Sequence, residues 1–260
     1  MDFHEKVAIV TGGANGIGRC ITELFLDKGA SVAVIDTDAA QGALMEEKHG
    51  NKMLFHAGDV GEKKALDEFV KAVVSRFPRV HYLINNAMRS NRGILSECKY
   101  EDFEYALRVG VTAPYYLTMK LKGRFDSGAA IVNISSSRSS QSQADTESYT
   151  AAKGGIAALT HALSVSLPGI RVNAIAPGWI DISPWHDGWP VPQHTIPDRA
   201  QHPVGRVGRA EDIANLALFL CSEEAGFITG QEIFADGGMS KLMVYHGDCG
   251  WSYQPGGKND

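Results

Sequence analysis

Residues 7–18, VAIVTGGANGIG, decide how this chain folds. Val7 to Val10 form a short apolar run, which is typical of a strand buried on both faces of a parallel sheet. Residues 11–18 are rich in glycine, and residues 19–28 have the pattern of an amphipathic helix that Gly29 ends. A strand, a glycine turn and a helix in this order predict a dinucleotide-binding loop. The glycines let the backbone approach a pyrophosphate, and the helix N-terminus attracts its charge.

Strand and helix patterns alternate along the rest of the chain. The predicted strands cover residues 7–10, 32–35, 53–56, 82–85, 130–134, 171–175 and 232–235. The predicted helices cover residues 17–28, 39–49, 62–76, 101–121, 148–166 and 210–221. Gly110 and Pro114 argue against one straight helix over residues 101–121. The alternation predicts a Rossmann-like α/β fold, a doubly wound parallel sheet of about seven strands with helices on both faces.

Length, composition and charge predict one catalytic domain over residues 1–260. The chain is 44% hydrophobic, which allows a sizeable core, and no composition shift or internal repeat divides it. A net charge of −5 and a pI near 6.0 give no reason to expect nucleic acid or an anionic membrane as a partner.

Cysteine usage and the N-terminus predict a cytoplasmic location. The four cysteines contain no Cys-x-x-Cys pair, as expected of free thiols in a reducing compartment; they are Cys20, Cys98, Cys221 and Cys249. Residues 1–6 lack the apolar stretch of a signal peptide. No run approaches the ~20 apolar residues that a membrane span needs.

Ser136, Tyr149 and Lys153 form a candidate acid/base set. Residues four apart share a helix face, so the Lys153 ammonium can lie beside the Tyr149 phenol and favour its phenolate form. Ser136 would then hold a substrate oxygen while Tyr149 moves its proton. The alternative is a surface helix that carries tyrosine and lysine by chance.

Asp36 ends the second predicted strand, about 20 residues beyond the glycine loop, where a carboxylate can bind the adenosine ribose hydroxyls. A carboxylate there repels a 2′-phosphate, Asn15 is neutral, and no arginine follows closely. The sequence therefore predicts NAD over NADP. Asp36 could also cap the next helix, and the two roles are compatible.

Seven short motifs in the right order make the sequence resemble the short-chain dehydrogenase/reductase family. They are Thr11 to Gly18, Asp59-Val60, Asn85-Asn86-Ala87, Ser136, Tyr149 with Lys153, Pro177-Gly178 and Asp236-Gly237-Gly238. The resemblance covers roughly residues 5–240. It implies NAD(P)-dependent oxidation of an alcohol or reduction of a carbonyl.

The resemblance also implies where the cofactor binds. The glycine loop would hold the pyrophosphate, Asp59 and Val60 would meet the adenine, and Lys153 would hold the nicotinamide ribose. The implied cofactor-binding residues are Gly12, Asn15, Gly16, Ile17, Gly18, Asp36, Asp59, Val60, Asn86, Ala87, Tyr149, Lys153, Pro177, Gly178 and Ile180.

Three positions depart from the family pattern. Gly110 stands where the family has an asparagine that holds a water of the proton relay; a second water could fill the space, so we expect a modified relay rather than none. Met88 replaces a glycine beside the cofactor. Ile182 replaces a threonine that contacts the nicotinamide amide, and the adjacent Ser183 is a candidate substitute.

Residues 182–204 follow Pro177-Gly178, where the family has its substrate lid. We expect Trp185 and Trp189 either to close over a substrate or to pack the lid onto the body. The histidines of this segment, like His246 and Cys249, do not form a recognisable ligand spacing, so we predict no metal site. Residues 241–260 are a C-terminal extension, in which residues 242–245 could contact a neighbouring subunit or the lid.

The resulting hypothesis is an NAD-dependent dehydrogenase or reductase with Tyr149 as the general acid/base. Its substrate would be a secondary alcohol, a sugar or polyol, or a hydroxysteroid, and a homodimer or homotetramer is expected from the resemblance. The alternative is a cofactor-bound regulator or scaffold on the same fold, because Met88, Gly110 and Ile182 all alter the nicotinamide side.

Overall fold

The computed structural model describes residues 1–245 and 247–248. Within this part of the chain the strands are β1 (Val7–Thr11), β2 (Ser31–Asp36), β3 (Met53–Ala57), β4 (Val80–Asn85), β5 (Phe125–Ile134), β6 (Arg171–Pro177), β7 (Ile180–Asp181), β8 (Gly208–Arg209) and β9 (Glu232–Ala235). A seven-stranded parallel sheet has the order β3-β2-β1-β4-β5-β6-β9, and β7 pairs with β8 beside it. The predicted fold class is confirmed.

Helices cover both faces of this sheet. They are α1 (Gly16–Asp27), α2 (Ala39–His49), α3 (Lys63–Arg76), α4 (Tyr100–Leu107), α5 (Ala113–Leu121), α6 (Glu147–Ser166), α7 (Ile196–Ala200) and α8 (Ala210–Cys221). One apolar core lies between the sheet and α1 and α8, which pack against each other. The other lies under α3, α5 and α6. All five residues of β1 are buried, as its apolar run predicts.

The long helix predicted over residues 101–121 is interrupted, as Gly110 and Pro114 suggest. A π-helical turn, Arg108–Thr112, separates α4 from α5, and Pro114 lies in the first turn of α5. This turn places Gly110 against α6, next to the candidate catalytic residues.

Several short elements escape the sequence patterns. β7 and β8 have only two residues each, too few for a periodicity. The five-residue α7 has a local signal in its capping box, in which Thr195 and Asp198 bind each other's backbone N–H groups. β5 begins five residues before its predicted start, where the register with β4 is irregular.

The strand order reverses between β1 and β4, which are neighbours in the sheet. In open α/β sheets the crevice at the carboxyl ends of the strands at such a point is the usual ligand site. β1 leads into the glycine loop and β5 into Ser136, so both sequence signatures reach this crevice.

The C-terminal extension is described only in part. Leu242, Met243 and Tyr245 are exposed in the single chain. Residues 246 and 249–260 lie outside the described residues, and with them His246 and Cys249. Among the described helices, none has the length and apolarity to span a membrane.

Candidate active site

The glycine loop packs tightly against Asn86 and Ala87, the two residues that follow β4. Gly12 has a φ of +64°, and a Cβ there would lie 2.9 Å from Ala87 Cα. A Cβ on Gly18 would overlap the carbonyl oxygen of Gly12, so Gly18 allows α1 to pack close to the loop. The Asn86 amide donates to the carbonyls of Thr11 and Gly12, at 3.1 and 2.9 Å. Asn86 therefore holds the loop in shape.

Asp36 braces the same loop from the other side. Its carboxylate accepts the N–H of Ala14 at 2.9 Å and that of Asp38 at 3.0 Å. The cap of α2 is Asp38, which accepts the N–H of Gln41, so the helix-cap role considered for Asp36 is wrong. Each carboxylate oxygen of Asp36 has a second lone-pair site, which leaves room for ribose hydroxyls.

A cavity of about 460 Å³ extends from this loop past the end of β2. Among the residues that line it are Gly12, Asn15, Gly16, Ile17, Asp36, Asp59, Val60, Asn86 and Ala87. Asp59 accepts the Tyr105 hydroxyl at 2.7 Å. Burial and this bond to Asp59 raise the pKa of Tyr105 to about 12. Tyr105, which the sequence patterns do not single out, thus forms part of the wall.

Ser136, Tyr149 and Lys153 line one wall of a second cavity, of about 650 Å³. Ser136 lies two residues after the end of β5, and Tyr149 and Lys153 share a face of α6. Lys153 is 4% exposed; its Nζ donates to the Ile134 carbonyl at 2.6 Å and lies 5.5 Å from the centroid of the Tyr149 ring. Burial lowers the pKa of Lys153 from 10.5 to about 8, so the ammonium form still predominates at neutral pH.

Pro177, Gly178 and Ile180 line the same cavity, on the wall that follows β6. The two cavities share Ile17, Asn86, Met88 and Ile182. Together they form one cleft that runs from Asp36 to the three candidate catalytic residues.

Arg138, which the sequence patterns do not single out, also lines the larger cavity. Its guanidinium lies over the Tyr149 ring, with Cζ 5.6 Å from the centroid, and its Nη2 donates to Gln143 Oε1. The backbone N–H of Arg138 donates to Ser136 Oγ at 3.2 Å. The signal in the sequence is an arginine within the serine-rich stretch between β5 and α6.

The Met88 side chain fills the space that a side chain at position 110 would need. A Cβ on Gly110 would lie 2.9 Å from Met88 Sδ and 2.9 Å from Ala152 Cβ. The thioether of Met88 and the methyl of Ala152 thus fill the position of a Cβ at residue 110 and leave no room for a water there. The modified proton relay stays a prediction.

Ser183, the candidate substitute for the family threonine, lines neither of the two cavities. Its hydroxyl and its backbone N–H both donate to Asp181 Oδ1, at 2.7 and 2.9 Å, and its side chain is buried. Ile182 faces the shared part of the cleft instead.

The lid tryptophans do not line the larger cavity, and Trp179 does. Trp185 donates from Nε1 to Glu211 Oε1 at 3.0 Å and packs on the core, which anchors the segment to the body. Trp189 is 55% exposed and stacks on His186. His186 and Ile182 cover the glycine loop, and Asp187 forms an ion pair with Arg19 of α1 at 2.9 Å. The segment thus closes over the loop end of the cleft.

The histidines of this segment have separate partners. His186 stacks on Trp189, His194 pairs with Asp181 at 3.1 Å, and His202 contacts the Asp198 carbonyl. Within residues 1–245 and 247–248, no three histidine, cysteine or acidic side chains group as metal ligands would.

A buried polar chain fixes α6 relative to the sheet. Asn85 Nδ2 donates to Asn133 Oδ1 at 2.7 Å, and Asn133 Nδ2 donates to Thr160 Oγ1 at 2.9 Å. These residues join β4, β5 and α6, and all three are at most 4% exposed. Because α6 carries Tyr149 and Lys153, this chain sets their position relative to Ser136.

Comparisons with known proteins agree with this geometry. A family model described as enoyl-(acyl carrier protein) reductase matches residues 12–240. An uncharacterized oxidoreductase of Thermotoga maritima is 40% identical over 252 residues, 92% of this chain and 98% of its own. An apo SCOR enzyme of Clostridium thermocellum has 43% identity and a TM-score of 0.89, over 96% of this chain and 99% of its own. A 3-ketoacyl-(acyl-carrier-protein) reductase of Brucella melitensis complexed with NADH has 29% identity and a TM-score of 0.81, over 92% and 100% of the two chains.

Proposed function

Since the chain belongs to the short-chain dehydrogenase/reductase family, we propose that it transfers a hydride between NAD and a small alcohol or carbonyl substrate. The observation that carries the proposal is the shared wall of Ser136, Tyr149 and Lys153 in a cleft that continues to the glycine loop. Chance placement of tyrosine and lysine on a surface helix does not account for this, because Lys153 is buried and Tyr149 lines the cavity.

The residues present fit a nicotinamide dinucleotide. Side chains at Gly12 and Gly16 would narrow the loop end of the cleft, and both have the positive φ that favours glycine. Asp36 would hold the adenosine ribose, Asp59 and Val60 would flank the adenine, and the wall after β6 would lie along the nicotinamide end. When bound there, NAD supplies the two-electron hydride chemistry.

The chain's own residues handle the proton and the substrate oxygen. In the oxidative direction the substrate O–H gives its proton to Tyr149 while the carbinol C–H leaves as a hydride, so a ketone and a reduced cofactor result. Ser136 Oγ holds the oxygen in place as its bonding changes. The Lys153 ammonium, next to the Tyr149 ring, favours the charged phenolate electrostatically. The reductive direction reverses each step.

The acidic pair Asp36 and Asp38 supports NAD over NADP. Hydrogen bonds from the Gln41 N–H and the Asn15 amide lower the pKa of Asp38, so it stays charged beside Asp36 at neutral pH. A 2′-phosphate would face both carboxylates. Arg89 is a cation of the same cavity, but it lies over the Tyr105 ring.

A second candidate is a nicotinamide-binding regulator without turnover. The observation that favours it is the packing of Met88 against Gly110, which fills the place where the family has its proton-relay asparagine. The two candidate functions differ in one measurable property: the dehydrogenase turns over a substrate, and the regulator only binds the cofactor.

A substrate panel separates them. Secondary alcohols and ketones should be followed by NADH absorbance with NAD and with NADP, and we expect turnover that prefers NAD. Tyr149→Phe should lower kcat by about a hundredfold or more, because the acid/base is lost, while calorimetry shows NADH affinity within about twofold of wild type. NADH binding without turnover on any member would favour the regulator, and retained turnover by Tyr149→Phe would refute its assigned role.

We place this reaction in the cytoplasm. Cys20, Cys98 and Cys221 are free thiols, which supports a reducing compartment.

A further inference from the structure

We infer that Arg138 binds a carboxylate of the substrate, so that the enzyme prefers hydroxy acids or keto acids to neutral alcohols and ketones. The inference rests on the proposed function, and it names the substrate class of the same site. Four observations carry it: the charge of the cavity, the position of Arg138, its hydrogen bonding, and the engagement of Asp145 and Glu147.

The larger cavity is cationic in a protein of net charge −5. Among the residues that the structure describes, its lining contains Arg138 and Lys153 and no aspartate or glutamate. The other polar lining residues are serines, asparagine, glutamine, tyrosine and tryptophan, which are neutral. Since an unpaired charge in a cavity is unfavourable, such a lining is best matched by an anionic ligand.

Arg138 is held next to the reacting centre. It is half-buried, its backbone N–H donates to Ser136 Oγ, and its guanidinium lies over Tyr149. A substrate oxygen placed between Ser136 and Tyr149 would leave a carboxylate a few bonds away within reach of this guanidinium. The short helical turn at Ser137–Ser139 fixes that placement.

The guanidinium has hydrogen-bonding capacity to spare. Within the described part of the chain, one of its five N–H donors is used, on the neutral amide oxygen of Gln143. Lys153 cannot play the same part, because its ammonium is buried and donates to the Ile134 carbonyl. One accessible cation with a planar fork of donors matches a singly charged, two-oxygen acceptor, which is a carboxylate.

Asp145 and Glu147, the acids between the Arg138 turn and Tyr149 in the chain, are engaged elsewhere. Asp145 accepts the backbone N–H groups of Gly93 and Ser96, and Glu147 accepts that of Ile94. These bonds tie the acids to the segment that precedes α4, so they do not neutralise Arg138.

The test compares acids with their neutral esters. The isomeric oxopentanoic acids and their methyl esters should be assayed with NADH and the wild type, Arg138→Gln, Arg138→Lys and the surface control Arg79→Gln. Arg79 is exposed and immediately precedes β4. It therefore lies at the amino ends of the strands, whereas the cleft lies at their carboxyl ends. We expect Arg138→Gln to lower kcat/KM for the best acid by roughly tenfold to a hundredfold, chiefly through KM, and for its ester by less than about threefold. Arg138→Lys should fall between, and Arg79→Gln should match wild type.

Two results would overturn the inference. Equal losses for acid and ester, with a shifted pH profile, would show that Arg138 acts on Tyr149 rather than on the substrate. A preference of the wild type for esters, or for hydroxyacetone phosphate over every acid, would show that the cavity does not select a carboxylate.

A binding measurement separates this inference from the proposed function. Butyrate and butyramide are unreactive, and their binding can be followed by saturation-transfer NMR on the unlabelled protein with NAD present. Preferential binding of butyrate, lost in Arg138→Gln and kept in Arg79→Gln, supports the carboxylate site even if no panel member turns over. Equal binding of the acid and the amide counts against it even if turnover is found.

Discussion

At the scale of single residues, Met88 and Gly110 form one departure from the family pattern rather than two. The thioether fills the space that a side chain at position 110 would need. We therefore expect Gly110→Asn alone to lower the free energy of unfolding by about 1–3 kcal/mol through overpacking, without raising kcat.

The double variant Gly110→Asn/Met88→Gly should recover most of that loss, which a double-mutant cycle from urea unfolding measures. Gly123→Asn is the matched control, because a Cβ there meets open space. Additive effects of the two changes would show that the positions are independent.

The buried Lys153 should make the stability of the protein depend on pH. Its pKa falls from 10.5 to about 8 on folding, so the unfolded chain binds more protons between these pH values, and its contribution to stability rises with pH there. Below about pH 8 the folded protein carries the full cost of the buried charge, about 3 kcal/mol.

The measurement is the unfolding free energy of the apo protein minus that of Lys153→Met, from pH 7 to 11. The difference should increase by about 3 kcal/mol, and the subtraction removes the other titrating groups. A flat difference would mean that the folded protein does not lower this pKa.

The role of a single residue can be predicted from the sequence when spacing along the chain defines it, and not when it depends on contacts that form only on folding. Helical spacing and chain order single out Ser136, Tyr149 and Lys153 as a set, and all three line one cavity of the structure. Arg138 could not be predicted, since its position over Tyr149 depends on how the loop after β5 folds back. The packing of Met88 on Gly110 joins residues 22 positions apart, and no local pattern encodes it.

At the scale of elements, the position of α6 depends on the buried chain Asn85–Asn133–Thr160. Thr160→Val keeps the shape but leaves the Asn133 amide without its acceptor, so we expect a loss of about 1–3 kcal/mol in unfolding free energy.

The matched control for this change is Ser166→Ala, which removes an exposed hydroxyl from the same helix and should cost below about 0.5 kcal/mol. Urea denaturation compares the two. Equal small effects would show that the buried chain does not hold α6 in place.

The main helices and strands could be predicted because each has a long periodic or apolar run. The two-residue strands β7 and β8 could not, because they are too short for a periodicity. The π-helical turn depends on the packing of Gly110 against α6, so only the break, and not its form, can be anticipated from Gly110 and Pro114. For the two tryptophans of residues 182–204 the sequence offered two roles, and contacts with Glu211 and the core decide for Trp185.

At the scale of the whole molecule, we predict a homodimer or homotetramer formed through α5 and α6. Tyr115 and Met119 are exposed four residues apart on α5, and Ala151, Ala158 and Val165 are exposed seven apart on α6. Such apolar faces favour association with a second copy.

Light scattering after gel filtration should give a multiple of 28.1 kDa for the wild type and a smaller mass for Met119→Glu. Leu44→Glu, on the exposed face of α2, is the control and should leave the mass unchanged. A wild-type mass of one chain would refute this prediction.

The packing of α1 on α8 has a consequence for how the protein is made. Helix α1 buries Ile21 and Phe25 in a core that Ala214 and Leu218 of α8 complete, and α8 follows β6 in the chain. During translation these side chains stay uncovered until α8 has emerged from the exit tunnel. Nascent chains stalled after β5 should accordingly be held by chaperones, and synthesis through α8 should release them.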